Sequence, residues 1–104
     1  MRGRPPKPLE IKIDISEQDI VDGVSFSSTC CAIAKNLERK KYTDIDVSYM
    51  PGNGYVTIQI YHHNRWYHYH DVNIELCSWL NTFDKDRQNA KPASFDLQFQ
   101  VSKP

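Results

Sequence analysis

The stretch "YVTIQIYHHNRWYHYHDV", residues 55–72, contains two runs in which side chains of different character alternate. This period of two is the pattern of a β-strand that has one buried and one exposed face. Asn64-Arg65 lies between the two runs and would form a two-residue turn. In that register Tyr61 lies opposite His68. The stretch therefore predicts an antiparallel hairpin.

The two faces of this hairpin differ in composition. Val56, Ile58 and Ile60 share one face, and their branched aliphatic side chains mark it as the face that packs on the core. The other, outer face carries rings and imidazoles, which are typical of recognition surfaces. We predict that the outer face binds a partner through Tyr61, His63, Trp66, His68 and His70, with Arg65 at the tip of the hairpin.

The same residues allow other interpretations. A helix or the N-terminal tail could cover the outer face, or the protein could form a homodimer through it. His63, His68 and His70 could approach one another as zinc ligands, but no spacing motif accompanies them, and we predict no metal and no cofactor. Because side chains alternate along a strand, we expect a one-residue shift of the turn to exchange the two faces.

Three further segments alternate as strands do, and they lie on both sides of the hairpin. They are "LEIKIDI" at 9–15, "DIDVSYM" at 44–50 and "SFDLQFQV" at 94–101. "PGNG", residues 51–54, has the composition of a turn between two strands. The chain therefore predicts about five strands.

Helical spacing appears in three places. A short helix should follow the capping residue Ser16 and end at Gly23 in a left-handed conformation. A second helix should be capped by Ser28 or Thr29, and a third by Asn73. In the third helix we expect Ile74, Cys77, Leu80 and Phe83 to face the core.

This order of elements predicts the fold class. We expect an α+β fold in which one mostly antiparallel sheet of about five strands has two or three helices packed on one face. Residues 1–8 form a basic, proline-rich tail, and residues 9–104 form a single domain.

Composition limits the function. Lys+Arg and Asp+Glu both number 13, so the net charge is zero, which argues against a protein whose main affinity is for nucleic-acid phosphates. The start "MRGRPPKPLE" has no apolar run of a signal peptide, no membrane-spanning segment is present, and the 3 cysteines leave an odd count. We therefore expect a cytoplasmic protein.

No catalytic motif stands out, and we expect a protein that is not an enzyme. "TCCAIA" would place Cys30 and Cys31 in the first turn of a helix, where thiols can be activated, but free cysteines more often fill apolar sites. We interpret "DKDR", residues 84–87, as a solvated helix end.

The tail contains "RGRPPKP", and Arg-Gly-Arg-Pro resembles the core of an AT-hook, although Pro6 departs from the usual pattern. The resemblance implies that Arg2 and Arg4 enter an A·T minor groove while Lys7 contacts phosphate. A small DNA-binding regulator is therefore the alternative function.

A broader pattern runs through about four fifths of the chain. It consists of a strand, "DI", a Gly, a Cys-rich "C-x-x-C-x-I-A" helix, a helix ending in Phe-Asp, and a strand with alternating Phe. The matching residues here are Asp19, Ile20, Gly23, Cys31, Ile33, Ala34, Leu37, Phe83, Asp84, Phe95 and Leu97. Ser28 and Ala32 stand where the pattern has its first cysteine and a proline.

This pattern resembles a loosely defined set of small tailed-phage proteins. The resemblance implies a viral protein that acts in the cytosol of a host bacterium. By analogy with other small phage proteins, it would bind and inhibit a host protein, such as a defence component, or sequester that protein's small ligand.

Overall fold

The computed structural model describes residues 7–102, and these form a five-stranded antiparallel sheet with three α-helices on one side. The strands are β1 (Leu9–Ile15), β2 (Thr43–Met50), β3 (Tyr55–His62), β4 (Arg65–Val72) and β5 (Ala93–Val101). The helices are α1 (Glu17–Asp22), α2 (Ala32–Arg39) and α3 (Ile74–Lys85), and a single 3-10 turn follows at Arg87–Asn89. This arrangement confirms the predicted α+β fold. Most of the predicted tail lies outside the described residues.

The spatial order of the strands is β1-β5-β4-β3-β2, and β5 joins two parts of the sheet. It pairs with β1 from Leu9↔Phe99 to Ile15↔Ala93, but its pairing with β4 is confined to Tyr67↔Val101 and His68↔Gln100. The amide of Ser102 adds one hydrogen bond to the Trp66 carbonyl at 2.9 Å. Beyond these residues β4 and β5 diverge, and a cleft of about 300 Å³ lies between them.

The core lies between the sheet and the helices. Its most completely buried large side chains come from β1, α2, β3, α3 and β5, and they are Ile13, Ile33, Leu37, Val56, Ile58, Ile60, Leu76, Leu80, Phe83 and Phe99. Each apolar side chain of this size stabilises the fold by about 1.5–3 kcal/mol when it is removed from water. The alternation in β3 and β5 therefore identifies the core-facing residues correctly.

The first helix begins as predicted and ends differently. Ser16 caps α1 through a capping box with Asp19, in which the Asp19 amide donates to Ser16 Oγ at 3.2 Å and the Ser16 amide donates to Asp19 Oδ2 at 3.0 Å. Gly23 ends the helix, but its φ of −70° and ψ of 153° are extended rather than left-handed. Close packing explains this glycine instead, because a Cβ at Gly23 would lie 2.6 Å from the Ala32 nitrogen.

The predicted start of the second helix is wrong. Its N-cap is Cys31 rather than Ser28 or Thr29, and no side chain caps the first turn. Cys30 and Cys31 thus precede the helix, and neither thiol lies in its first turn as predicted. Cys31 is buried, and burial raises the pKa of its thiol. Burial also raises the pKa of the Cys77 thiol.

The third helix is capped by Asn73, whose Oδ1 accepts the Leu76 amide at 3.0 Å, as predicted. Cys77, Leu80 and Phe83 face the core, but Ile74 is 72% exposed, so its predicted burial is wrong. Ile74 occupies the first position of the helix, at the margin of the sheet. None of the helices within residues 7–102 is both long and apolar enough to cross a membrane.

The predicted solvated end of this helix is correct for Lys85 and Asp86, which are exposed, and wrong for Asp84 and Arg87, which bind other parts of the chain. The Arg87 guanidinium donates to the carbonyls of Ile20, Val21 and Gly23 and lies 4.8 Å from the centre of the Phe83 ring. These carbonyls lie at the C-terminal end of α1, where the helix dipole favours a cation. Arg87 therefore fixes α1 to the end of α3.

Candidate binding face

The outer face of the sheet is the surface that points away from the three helices. It includes the side chains of Glu10 and Lys12 on β1, Asp96, Gln98 and Gln100 on β5, Trp66, His68, His70 and Val72 on β4, Tyr55, Thr57, Gln59 and Tyr61 on β3, and Asp46, Ser48 and Met50 on β2. Within residues 7–102 the helices cover only the opposite side of the sheet. The centre of this uncovered surface is formed by β3 and β4.

The hairpin turn lies one residue earlier than predicted. His63 and Asn64 form it, with φ of 50° and 63°, and Arg65 is already the first residue of β4. A two-residue turn with two positive φ angles matches the twist of the flanking strands. Asn and His tolerate the left-handed region better than Arg does, so His63-Asn64 suits this turn better than Asn64-Arg65.

The earlier turn leaves the two faces as predicted. Tyr61 lies opposite Trp66 rather than His68, and Ile58 lies opposite Tyr69. Moving the turn by one residue changes each opposite partner by two positions, which is one full period of a strand. The expectation that such a shift would exchange the faces is therefore wrong.

Two of the predicted partner-binding residues lie elsewhere. His63 is in the turn, and its ring contacts the His62 ring at a tilt of 55°, with ring centres 3.9 Å apart. Arg65 is next to the turn, at the tip of the hairpin as predicted, but it pairs with His62, so its side chain is on the helix side of the sheet. Tyr61, Trp66, His68 and His70 are brought together on the outer face.

Aromatic contacts give this face a fixed shape. The rings of Tyr61 and Trp66 meet edge to face with centres 4.9 Å apart, and Trp66 remains 41% exposed. Tyr55, which the sequence analysis missed, lies 4.7 Å from the His70 ring centre. Tyr55 alternates with Thr57, Gln59 and Tyr61 on the same face of β3, and this alternation could have assigned it to the outer face.

Both imidazoles of the face are held through Nδ1. His70 Nδ1 is 2.7 Å from Thr57 Oγ1, and His68 Nδ1 is 2.9 Å from Ser102 Oγ. These bonds use one ring nitrogen of each histidine and fix the ring orientation. Nε2 is therefore the nitrogen of each ring that can exchange hydrogen bonds with a partner.

The charges at the margins of the outer face are mostly negative. Glu10, Asp46 and Asp96 are exposed there, and Lys12 is opposite Asp96. Acidic side chains repel phosphate groups and attract basic ones. The face is therefore better suited to a basic protein surface than to nucleic acid.

Two alternative interpretations, a DNA-binding N-terminal arm and a metal site, depend on residues other than the aromatic rings. Arg2 and Arg4 lie outside the described residues, and Lys7 is exposed. Among residues 7–102, no group of three or more His, Cys, Asp or Glu could hold a metal ion.

His62 lies on the helix side of the hairpin, and we expect it to make the stability of the fold depend on pH. It lies against Tyr42 and His63, and burial, followed by the charge of His63, lowers its pKa from the ordinary 6.5. The unfolded chain therefore binds this proton more readily, and the stability that His62 contributes in its neutral form is lost as pH falls. Between about pH 7.5 and about pH 5.5 we expect a larger drop in melting temperature for the natural protein than for His62→Gln. Equal drops would contradict this prediction.

The residues of the phage-like pattern have structural roles in this fold. Asp19 and Gly23 hold α1 against α2, and Asp84 accepts hydrogen bonds from the Phe26 amide and the Tyr49 hydroxyl. These roles explain why an Asp, a Gly and a second Asp stand at those positions. Comparison with protein-family models, curated proteins and solved structures finds no match to this chain.

Proposed function

We propose that this protein is a non-catalytic binding protein that inhibits a host protein by occluding it with the outer face. The observation that carries the proposal is the ring pair of Tyr61 and Trp66 on a sheet surface that the helices leave uncovered. Exposed aromatic rings in a fixed geometry supply large contact area with little loss of side-chain entropy on binding. The resemblance to small tailed-phage proteins implies that such an inhibitor would act in the cytosol of a host bacterium.

The chemistry of the face indicates what it would bind. An aromatic centre with acidic margins favours a partner whose surface presents Lys or Arg, because cations bind both to ring faces and to carboxylates. The Nε2 atoms of His68 and His70 add directional hydrogen bonds. The partner we propose is therefore a host protein with a basic recognition site.

Two of the three cysteines, Cys31 and Cys77, are buried. Burial raises the pKa of the Cys31 and Cys77 thiols, and a raised pKa keeps a thiol protonated and unreactive. Neither thiol belongs to the outer face. These two side chains therefore act as small buried hydrophobes.

A second form of the same activity is sequestration of the host protein's small ligand. The cleft of about 300 Å³ between β4 and β5 is lined by His68, His70, Asp96, Gln98 and Gln100, among others. This volume is near the lower limit of small-molecule sites, and the lining offers both donors and acceptors. A small polar ligand would fit there.

The direct test compares Trp66→Ala with the natural protein. We expect the variant to lose at least about 2 kcal/mol of partner binding, because truncation of a central aromatic residue removes a binding hot spot. Its stability should fall by only about 1 kcal/mol, since Trp66 is 41% exposed and loses mainly its contact with Tyr61. Capture from bacterial lysates followed by titration of the captured protein measures the first effect, and thermal unfolding measures the second.

Val21→Ala is the matched control, because Val21 is an apolar side chain that is 70% exposed on α1, away from the outer face. It should leave binding unchanged. Equal binding by Trp66→Ala and the natural protein would refute the proposal. A dimer in solution that Trp66→Ala converts to a monomer would also refute it, because the face would then bind a second copy of this chain.

A further inference from the structure

A pocket lies on the helix side of the sheet and shares only Ser48 with the outer face as defined above, among the described residues. It measures about 330 Å³, and its walls include Phe26, Val47, Tyr49, Pro51, Leu80 and Asp84. Most of the surface in these walls is apolar, with the Asp84 carboxyl among them. A volume of this size accommodates one ring with a short side chain.

Phe26 lines this pocket with an unfavourable backbone conformation and an exposed ring. Its φ is 61°, in the left-handed region that bulky residues avoid, and its side chain is 72% exposed. A glycine at this position would relieve the backbone strain and would place no ring in water. The amide of Phe26 donates to Asp84 Oδ1 at 2.8 Å, which holds the loop in this conformation. A ligand that covers the ring would bury the apolar surface that is now exposed.

The polar end of the pocket is a carboxylate without a cation. Asp84 Oδ2 accepts the Tyr49 hydroxyl at 2.5 Å, and none of the ion pairs within residues 7–102 includes Asp84. Burial, followed by the hydrogen bond to Asp84, raises the pKa of Tyr49, so this hydroxyl is a neutral donor. Each carboxylate oxygen therefore has one protein donor and can accept another.

We propose that this pocket binds a small organic cation, an amine or a guanidine on an apolar body about the size of one ring. The ammonium group would donate to Asp84, and the apolar body would lie among Val47, Pro51 and Leu80 under the Phe26 ring. An aromatic ring beside a carboxylate is the surrounding that organic cations prefer. An anionic ligand would be repelled by Asp84, since none of the lining residues in the described part of the chain is Lys, Arg or His.

The test uses phenethylamine and its neutral counterpart 2-phenylethanol, with the whole chain labelled with ¹⁵N. We expect phenethylamine to shift the amide signals of Phe26, Ser27 and Asp84 and to bind at least about tenfold more tightly than the alcohol. A short acetylated peptide with one lysine between alanines should bind more weakly than phenethylamine. Equal binding of amine and alcohol, shifts located elsewhere, no binding at millimolar probe, or stronger binding of the peptide would each overturn the proposal.

Three variants complete the test. Phe26→Gly should weaken phenethylamine binding at least about tenfold without lowering the melting temperature, because glycine suits the positive φ. Asp84→Asn should abolish the preference for the amine over the alcohol. Tyr49→Phe keeps the charge of Asp84 and should retain that preference. If Tyr49→Phe loses the preference as fully as Asp84→Asn, or Phe26→Gly binds like the natural protein, the proposal fails.

Discussion

Replacement of Asp19 by alanine is expected to lower the free energy of unfolding by about 2 to 4 kcal/mol. The Asp19 side chain has 0% exposure, so its carboxylate depends on protein donors instead of water. It accepts from the Ser16 amide and from Asn36 Nδ2, both at 3.0 Å, and it forms an ion pair with Arg39. Alanine would remove the capping box of α1 and one of the two acceptors of the buried Asn36 amide, whose Nδ2 would keep its hydrogen bond to the Asp14 carbonyl at 2.7 Å.

The buried hydrogen bonds account for most of this expected loss. Arg39 is 50% exposed, so water screens its attraction to Asp19 and can solvate the guanidinium when the carboxylate is removed. The Asn36 amide cannot be solvated in the same way, since Asn36 is only 3% exposed. Denaturant titration of the variant measures the change in the free energy of unfolding.

Asp22→Ala is the matched control on the same helix. Asp22 is exposed, and its hydrogen bond with Gln18 Nε2, at 2.9 Å, lies in solvent. We expect a change within about 0.5 kcal/mol. If Asp19→Ala were as mild as Asp22→Ala, the network would contribute little, and the connection between α1 and α2 would have to depend on apolar contacts alone.

The strands could be predicted from the sequence because buried and exposed side chains alternate along each of them. Ile11, Ile13 and Ile15 alternate with polar residues, and all three are buried, as are Leu97 and Phe99. The strand order could not be predicted in this way. It depends on β5, which pairs with β1 through one half and with β4 through its end, and no local signal specifies those two partners.

The outer face was predictable for the same reason, and the exact turn was not. The alternation in β3 and β4 assigns Trp66, His68 and His70 to the outer face in either turn register. The predicted turn, Asn64-Arg65, differs from the observed one because the choice depends on which pair accepts two positive φ angles, and His63-Asn64 accepts them better.

The pocket beside Phe26 and Asp84 was missed because the residues that form it are distant in sequence. Phe26 and Asp84 are 58 positions apart, and so are Ser25 and Phe83, whose hydroxyl and carbonyl are 3.1 Å apart. A charged segment such as "DKDR" suggests a solvated surface unless its distant partners are known. Charge patterns therefore predict exposure poorly where a loop folds back on the end of a helix.

Gly23→Ala is expected to lower the free energy of unfolding by about 2 to 4 kcal/mol. A Cβ there would lie 2.6 Å from the Ala32 nitrogen, 2.9 Å from the Ala32 Cα and 2.9 Å from the Asp19 carbonyl oxygen. All three atoms belong to the backbone, so no side-chain rotation relieves the contact. Alanine does restrict the unfolded chain, but that gain of about 0.4 to 1 kcal/mol is smaller than the expected cost of moving α1 from α2.

Gly52→Ala is the matched control. It measures the effect of replacing a glycine by alanine where the added Cβ makes no close contact. A Cβ at Gly52 would meet nothing within 4 Å, so the variant should be unchanged or more stable by up to about 1 kcal/mol. Denaturant titration of both variants therefore measures the close approach alone. An equal response at the two positions would mean that α1 and the start of α2 separate easily. The loop between them, which carries Phe26, would then not be held firmly enough to form a binding pocket.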